Sequence, residues 1–304
     1  MRILKAMLER TIASSPLPAL ARRRVRFDAL ILAYHNIILD DSEPGADGSL
    51  HVRASPFADQ LDALERTHRV VGLEELLLGP SRAADRPRVA ITFDDAYRGA
   101  LLVGVPALAA RGMPATVFVS PGMLGGRAFW WDAFRFPSRA DADSFRALAL
   151  NVAAGADEDV RALAVQQRVH MAPTQPFAAS GTEGDVAAAV HSHPGLKVAS
   201  HTWTHPNLTR IDDGRLADEL SRPLEWLTDR FADRMSGALS YPYGLFDGRV
   251  ASAARAAGYD AALAIDGGWL RDTVFDRFSV PRLNIPSGLS TAGFRLRIDG
   301  VLGV

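Results

Sequence analysis

The 304-residue sequence contains no cysteine. Disulfide bonds, thiolate metal sites and cysteine nucleophiles are therefore excluded, and any metal ion must be held by histidine nitrogen and carboxylate oxygen. An excess of charge of one sign is also missing, because 34 Lys and Arg residues nearly balance 35 Asp and Glu residues. The formal net charge of −1 gives no general attraction to nucleic acid. We therefore expect no nucleic-acid partner.

Long apolar runs are absent as well. The apolar stretch at residues 99–110 contains Pro106 and is well short of the roughly 20 residues that a transmembrane helix needs. Charged residues interrupt what would be the apolar core of a signal peptide, so residues 1–26 are described better as an amphipathic, basic segment. We expect a soluble, cytoplasmic protein without a transmembrane segment.

A local basic run lies in this N-terminal segment. It consists of Arg22, Arg23, Arg24 and Arg26. Such a run is either a solvated face or a peripheral contact with phosphate or lipid headgroups. The sequence leaves both interpretations open.

Seven short apolar runs predict the strands of a β-sheet. Most are apolar at both alternating positions, which is typical of strands buried on both faces of a parallel sheet. The runs are residues 29–36, 88–95, 115–121, 197–205, 238–244, 261–266 and 279–285. Helical patterns lie between them, including residues 97–111 and 212–231. This alternation predicts right-handed βαβ units, in either an open doubly wound sheet or a barrel.

Residues 122–195 depart from this alternation because they contain no convincing strand. An excursion of this length is not expected to be a bare loop, and its Ala-rich stretches favour helices. We predict a helical insertion that lies over one end of the sheet.

Polar side chains collect where the predicted strands end. In parallel α/β folds the carboxyl ends of the strands are where ligands bind, so we expect these side chains to meet at one rim. The residues are His35, Asp94, Asp95, His201, His205, Tyr243, Asp266 and Arg282.

The pair His201 and His205 has the spacing of a possible metal chelate. In an extended strand the two residues would lie about 13 Å apart, too far to share an ion. In a single helical turn their Cβ atoms would be about 5–6 Å apart, and Pro206 should end that turn. Two hydrogen-bonded loop histidines would explain the pair equally well.

The carboxylate pair Asp94 and Asp95 strengthens the metal hypothesis. Two histidines and one aspartate give three protein ligands, which leaves an ion open to water or substrate. Such a nitrogen and oxygen set suits Zn²⁺ first, with Co²⁺, Mn²⁺ or Ni²⁺ as alternatives. The second aspartate is then free to act as a general base.

Three ordered motifs carry a family resemblance. "TFDDAY", "SHTWTHP" and "SYPYG" resemble the first three motifs of the polysaccharide deacetylases of the NodB-homology type, carbohydrate esterase family 4. "LILAYHNI", "FWWD" and "VPRLNI" resemble a branch of that family with an early Tyr-His element.

The resemblance implies a fold and a set of roles. The fold is a distorted (β/α)7 barrel, here a single catalytic domain over residues 27–304 that includes the helical insertion. Asp94 is the base, and Asp95, His201 and His205 hold the metal. The backbone N–H of Tyr243 stabilises the oxyanion, and the reaction removes an N- or O-acetyl group from a sugar.

Three positions depart from the family pattern. Ala96 stands where a Gly follows the aspartate pair, a small change that we expect to cost little. Ser240 stands where an Arg that orients the base is expected, and Arg282 is the candidate substitute, although it is otherwise a surface or structural arginine. The late Leu-x-His motif that supplies the general acid is missing, since no histidine follows His205. His35 is the candidate replacement, the alternative being a buried histidine paired with backbone.

Aromatic residues supply candidate substrate contacts. Asp266 and Trp269 in "DGGW" are interpreted as a remnant of the fourth motif, an acid that tunes the histidine and an aromatic wall of the acetyl pocket. Trp130, Trp131 and Trp203 are candidates for stacking on sugar rings, although tryptophan is more often core or interface.

These features predict a metal-dependent carbohydrate deacetylase that acts on a glycan, a lipid-linked sugar or a sugar nucleotide. A deformylase or another amidase is the nearest enzymatic alternative on the same fold. A catalytically impaired glycan-binding homologue is the alternative from another class, favoured by Ser240 and by the missing late histidine.

Overall fold

The computed structural model describes residues 2–24, 29–78, 86–270 and 275–302. The strands are β1 Ala29–Tyr34, β2 Asn36–Ile38, β3 His51–Arg53, β4 Arg69–Val70, β5 Arg88–Phe93, β6 Ala115–Val119, β7 Phe134–Arg135, β8 His170–Met171, β9 Leu196–Ser200, β10 Met235–Ser240, β11 Ala261–Leu263, β12 Trp269–Leu270 and β13 Leu283–Asn284. The helices are α1 Arg2–Ala13, α2 Leu17–Arg24, α3 Ala54–Thr67, α4 Leu73–Leu77, α5 Val105–Ala109, α6 Trp130–Ala133, α7 Arg139–Asn151, α8 Asp157–Gln166, α9 Glu183–Ser192, α10 Asp213–Phe231, α11 Gly248–Ala256 and α12 Thr291–Ile298. A π-helical turn, Ala100–Gly104, leads directly into α5.

One large sheet organises the chain. Its strands lie in the order β11-β10-β9-β6-β5-β1-β12, with β13 also paired to β1 and β4 to β5. The pairings are parallel except that of β12 with β1. Each of the seven predicted runs contains a strand of this sheet, whereas the antiparallel β12 was not predicted.

The sheet curls so that one segment connects its two ends. Val280 pairs with Leu263 of β11, and a few residues later Leu283 pairs with Leu32 of β1. The predicted deacetylase-type barrel is confirmed as a curled, barrel-like sheet with helices around it. This closing segment carries Arg282 into the interior of the curled sheet.

Alternation along the strands explains why so many polar groups reach that interior. On β5, Val89, Ile91 and Phe93 pack in the large outer core, so Ala90 and Thr92 face the opposite side. Several interior positions on other strands are also small, with Ala199 on β9, Ala238 on β10 and Ala261 on β11, although Ile31 of β1 and Phe118 of β6 share this cluster. Small side chains leave room inside the sheet for a buried guanidinium and for the carboxylate that continues the pattern at residue 94.

The region between β6 and β9 is largely helical, as predicted, but it includes two short strands. Strands β7 and β8 form a two-residue antiparallel pair. The last helix of this region, α9, packs on β9 and on the helix that follows β5, so α9 is part of the helical layer around the sheet. The insertion proper is therefore formed by α6, α7, α8 and the β7-β8 pair.

The N-terminal segment packs on the C-terminal helix. The Ser290 hydroxyl donates to Glu9 at 2.6 Å, and the Arg22 guanidinium pairs with Asp299 at 2.7 Å. The predicted boundary at residues 26 and 27 and the side chains of Arg24 and Arg26 lie outside the described residues. None of the helices in the described part of the chain has the length and hydropathy of a membrane span.

Candidate active site

The two neighbouring aspartates point in different directions because the chain turns sharply after β5. Asp94 extends the β1-β5 pairing, since its N–H donates to the carbonyl oxygen of Tyr34 at 2.9 Å. Asp95 and Ala96 then adopt φ angles of 69° and 49°, in the left-handed region. A left-handed conformation costs an L-residue about 1–2 kcal/mol. The replacement of the family's Gly by Ala96 is therefore more costly than we expected from the sequence.

The two histidines approach each other through a loop and not through the predicted helical turn. Thr202 and His205 have φ angles of 66° and 59°, and the Thr202 hydroxyl accepts the N–H of His205 at 3.1 Å. The imidazole ring centroids of His201 and His205 are 4.6 Å apart. The helical-turn prediction was wrong because two left-handed residues bend the loop tightly enough to bring the rings together.

A buried carboxylate on α10 fixes this loop. Glu219 accepts the backbone N–H groups of Trp203 and Thr204 at 2.8 and 2.7 Å, and it also accepts the Thr204 hydroxyl. Glu219 was missed in the sequence analysis. Its signal is a charged residue on the apolar face of the helix, between Leu216 and Leu220.

Three buried side chains form a group that fits a metal ion. Ligand atoms of Asp95, His201 and His205 all lie within 4.8 Å of one another. The Nε2 atoms of His201 and His205 are 3.4 and 3.1 Å from Asp95 Oδ1. That oxygen is buried, and neither it nor Nδ1 of His205 has a hydrogen-bond partner of good geometry among the described residues. Buried polar atoms without partners are rare, and a bound metal ion would supply a partner for the carboxylate oxygen.

The tautomer of His201 also fits a metal ligand. Its Nδ1 lies 2.7 Å from the carbonyl oxygen of Ser240. A carbonyl oxygen can only accept, so Nδ1 carries a proton, and Nε2, which faces Asp95, is the nitrogen left for a metal ion. This is the outer contact that orients metal-ligating histidines in proteins. The nitrogen and oxygen donors present therefore suit Zn²⁺ or a similar divalent ion.

Arg282 makes a bidentate contact with Asp94. Its NH1 and NH2 donate to Oδ1 and Oδ2 of Asp94 at 2.8 and 2.7 Å, and its Nε donates to the carbonyl oxygen of Ala264 at 2.8 Å. NH2 also donates at 2.8 Å to the hydroxyl of Ser240, which in turn donates to Asp94 Oδ2 at 3.2 Å. Arg282 is fully buried and directly precedes β13, whereas the sequence analysis grouped it with the residues where predicted strands end. Ser240, at the expected arginine position, and Arg282, the candidate substitute, thus both bind the carboxylate of Asp94.

These contacts determine the charge of Asp94. Burial by itself would raise the pKa of this carboxyl group, but the opposite charge and the hydrogen bonds of Arg282 hold the pKa below its usual value. Asp94 is therefore ionised and oriented, as a general base must be.

His35 lies in the same cavity as the two aspartates. It follows β1 and lines a cavity of about 570 Å³ with Asp94, Asp95, His201 and His205. Burial lowers the pKa of His35, against the opposing charges of Asp95 and Asp94. No hydrogen bond from the described residues reaches its ring, so the alternative of a histidine paired with backbone is not what the structure has.

Tyr243 occupies a tight turn at the edge of this cavity. Its φ angle is 59° within the turn Pro242–Gly244, and its backbone N–H donates no hydrogen bond within the described part of the chain. The ring lies 4.6 Å from the His205 ring, and the hydroxyl donates to the carbonyl oxygen of Gly155 at 2.9 Å. The side chain is thus fixed and the N–H is available to a ligand.

Two of the candidate tryptophans belong to the cavity wall. Trp131 packs against His205 with ring centroids 5.0 Å apart, and Trp130 donates through Nε1 to the Tyr243 hydroxyl at 3.0 Å. Both line the cavity.

A buried polar network behind Trp131 was also missed. The Trp131 Nε1 group donates to the Tyr97 hydroxyl at 2.7 Å, which donates to Asp132 at 2.7 Å. His51 lies 3.0 Å from the other oxygen of Asp132. The "FWWD" motif thus supplies both the wall and the carboxylate that fixes it. The signal for the network was the acid that directly follows two tryptophans.

Three predicted substrate residues lie elsewhere. Trp203 does not line the cavity, and the guanidinium of Arg222 covers its ring at 4.2 Å. Asp266 is exposed outside the cavity. Trp269 pairs with Leu30 near the start of β1, and its ring stacks on His68 at 6.2 Å. Because the cavity lies where β1 ends, Trp269 is at the opposite end of the sheet, and its assignment to the acetyl pocket was wrong.

Comparison with protein families settles the family of this chain. Residues 81–262 match the polysaccharide deacetylase model, which is more than half of the chain. The chain belongs to the polysaccharide deacetylase family. No curated protein matches its sequence.

Solved polysaccharide deacetylases share the fold. The Streptococcus pyogenes deacetylase PplD in complex with acetate has 18% identity and a TM-score of 0.63, over 89% of this chain and 97% of that one. The putative polysaccharide deacetylase BA0330 from Bacillus anthracis has 17% identity and a TM-score of 0.63, over 89% and 69%. IcaB from Ammonifex degensii has 16% identity and a TM-score of 0.61, over 90% and 97%. The polysaccharide deacetylase fold therefore extends over nearly the whole chain.

Proposed function

We propose that this polysaccharide deacetylase is a metal-dependent carbohydrate deacetylase that hydrolyses N-acetyl, or O-acetyl, groups of a glycan, a lipid-linked sugar or a sugar nucleotide. One observation carries the proposal. A buried Asp95, His201 and His205 group opens onto the same cavity as Asp94, whose carboxylate is held separately by Arg282.

The metal-binding part of the proposal is supported by the unpartnered Oδ1 of Asp95 and by the tautomer of His201. A divalent ion bound by Asp95, His201 and His205 would supply Lewis acidity to the nucleophilic water and to the acetyl carbonyl group. Zn²⁺ is the first candidate for this donor set, with Co²⁺, Mn²⁺ and Ni²⁺ as alternatives.

Asp94 is proposed to take the proton from the attacking water. Its two oxygens are held by Arg282 and Ser240, so the carboxylate is aligned before substrate arrives and loses little freedom in the reaction. Arg282 is proposed to orient Asp94, which is the role of an arginine two residues before the motif proline elsewhere in the family.

Tyr243 and His35 are proposed to act on the other side of the acetyl group. The free N–H of Tyr243 donates to the oxygen that becomes negative when water adds to the carbonyl. His35 donates a proton to the leaving amine, or to the leaving hydroxyl of an O-acetyl ester, and acetate is released. Acetate is the compound found with the Streptococcus pyogenes deacetylase.

Acetate release from N-acetylated and O-acetylated sugars tests the proposal. The wild-type protein is expected to release acetate when Zn²⁺ or Co²⁺ is added and to lose this activity with a chelator. Asp94→Asn should lower kcat by a factor of about 10²–10⁴ without loss of metal binding, whereas Asp95→Asn should weaken metal binding itself.

A matched control separates these effects from loss of folding. His193 is buried and its Nε2 bonds the carbonyl oxygen of Met113 at 2.8 Å, away from the cavity residues, so His193→Gln should bind metal normally. No acetate from any substrate, with no effect of Asp94→Asn, would favour a glycan-binding homologue. Release of formate from N-formylated sugars, with no acetate from the acetylated ones, would favour the deformylase alternative.

A further inference from the structure

The cavity extends beyond the reacting groups to the insertion. One face of α7 contributes Arg139, Ala142, Asp143 and Arg146 to its wall, and aromatic residues beside them complete this outer part. These aromatic residues are Phe134, Phe136 and Phe145. The insertion thus builds the outer part of this one cavity, and its wall holds both aromatic and charged side chains. We call this part the outer chamber.

Arg146 is a charged side chain of this outer chamber that has no carboxylate partner among the described residues. Its side chain is half-buried, and no carboxylate of the described residues lies within ion-pair distance of it. Arg161 and Arg111, which are comparably covered, pair with Asp157 and Asp62 at 2.7 and 2.9 Å. A half-buried guanidinium that faces a cavity without a counter-ion is a binding group for an anion.

The acidic residues of the same wall already have partners. Asp143 lies 3.7 Å from Arg139, and the two side chains are mostly exposed. Asp47 accepts the N–H and the hydroxyl of Ser49 at 3.2 and 2.5 Å. Neither carboxylate neutralises Arg146.

Arg146 is also close to the reacting groups. Its guanidinium lies 5.8 Å above the Tyr243 ring, and the same ring is 4.6 Å from the ring of His205. One aromatic side chain therefore separates Arg146 from a proposed metal ligand. A sugar with its acetyl group at Asp95, His201 and His205 would have its other substituents in the cavity that Arg146 also lines.

We propose that Arg146 binds a phosphate group attached to the acetylated sugar, so that the substrate is a sugar phosphate ester. This inference rests on the proposed function. A guanidinium matches phosphate by bidentate hydrogen bonds, and the aromatic side chains beside Arg146 suit the apolar group that a nucleotide or a lipid carries beyond its phosphate. Nucleotide and lipid diphosphates share this recognition chemistry.

Direct binding tests the anion site without any turnover. Glucose 1-phosphate, a phosphate monoester that carries no acetyl group and chelates divalent ions weakly, is titrated calorimetrically into the metal-loaded protein. Arg146→Met is expected to weaken binding at least tenfold, and Arg146→Lys should weaken it less because the charge remains. Arg135→Met is the matched control, since Arg135 is an exposed arginine of the same insertion that does not line the cavity. Equal affinity in wild type and Arg146→Met, or no binding to wild type, would overturn the proposal.

Substrate preference gives the second arm. The kcat/KM of N-acetylglucosamine 1-phosphate, UDP-N-acetylglucosamine and a short prenyl diphosphate-linked N-acetylglucosamine is compared with that of neutral N,N'-diacetylchitobiose. We expect a preference for the phosphate esters that falls at least tenfold in Arg146→Met and persists in Arg135→Met, and the most active ester identifies the lipid or nucleotide source. Equal or better use of N,N'-diacetylchitobiose by the wild type would refute the anion site and leave the deacetylase proposal intact. Absence of turnover with every substrate would refute the deacetylase proposal, while the glucose 1-phosphate titration would still decide the anion site.

Discussion

The guanidinium of Arg282 donates to both carboxylate oxygens of Asp94, at 2.8 and 2.7 Å, although 188 positions separate the two residues in the sequence. Both side chains are buried. Removal of one member of a buried ion pair leaves an uncompensated charge, which costs about 3–5 kcal/mol. Arg282→Ser should therefore lower both the free energy of unfolding, measured in urea, and kcat.

The exchange variant Ser240→Arg/Arg282→Ser tests whether the charge or its position matters. It returns the guanidinium to the position that the family motif uses, and part of the lost stability and turnover should return. If Arg282→Ser alone is as stable and as active as the wild type, Arg282 does not orient the base.

His35 should affect turnover and not metal binding. His35→Gln is expected to lower kcat by a factor of about 10²–10⁴, the usual contribution of a general acid. Zn²⁺ affinity and the midpoint of thermal unfolding should stay near the wild-type values. A variant with normal kcat per folded molecule but a lower unfolding midpoint would mean that His35 is structural.

Glu219 should affect the metal site through the histidine loop. A glutamine at this position replaces one acceptor oxygen by a donor and so cannot accept all three hydrogen bonds from Trp203 and Thr204. We expect Glu219→Gln to weaken Zn²⁺ binding by about 10–100-fold, as for other groups that orient metal ligands. Glu225→Gln, an exposed change on the same helix, is the control. Unchanged Zn²⁺ affinity in Glu219→Gln would show that the loop is held without this carboxylate.

His68 should make the fold sensitive to acid. Burial lowers the pKa of His68 from 6.5 to about 4, and its Nε2 bonds the carbonyl oxygen of Ile298 at 2.7 Å. Below pH 6.5 the unfolded chain binds a proton at His68 while the folded chain does not. The free energy of unfolding therefore falls as the pH drops from about 6.5 to about 4, and the contribution of His68 is fully present above pH 6.5. The loss should approach about 3 kcal/mol.

Urea unfolding at several pH values measures this loss. His68→Gln keeps a donor for Ile298 and should flatten the dependence between pH 6.5 and 4, with exposed His191→Gln as the control. The same slope in His68→Gln and wild type would assign the acid sensitivity to other groups.

The N-terminal helices are the part of the chain for which we predict peripheral membrane contact. Met7, Leu8, Leu17 and Leu20 are 51–62% exposed, and Arg10 and Arg23 on the same two helices are also exposed. Exposed apolar side chains combined with basic ones favour binding to anionic bilayers. Wild-type protein should sediment with phosphatidylglycerol vesicles at low salt, and Leu17→Ser/Leu20→Ser should reduce the bound fraction severalfold.

Val165→Ser is the control for this effect, because Val165 is 79% exposed on the insertion. Equal sedimentation of all three proteins, or none with anionic vesicles, would leave the N-terminal segment as a structural element that packs on α12.

The sequence alone determined seven strands of the large sheet and the order of the chemical groups along the chain. Short apolar runs are local patterns, so Ala29–Tyr34, Arg88–Phe93 and five further strands could be located without knowledge of their neighbours. Since parallel strands present their carboxyl ends at one rim, the meeting of Asp94, Asp95, His201 and His205 also followed from the pattern. The three family motifs supplied the roles that we propose for these residues.

Only the tertiary structure decided which distant groups complete the site. The closing segment delivers Arg282 to Asp94 because Val280 pairs with β11 while Leu283 pairs with β1, and no local pattern contains that path. The antiparallel pairing of β12 with β1 puts Trp269 at the far end of the sheet, although it follows a strand in the sequence. Glu219 and Arg146 likewise lie in ordinary helical patterns. Their importance comes from what faces them across the fold: a histidine loop in one case, and a cavity without a counter-ion in the other.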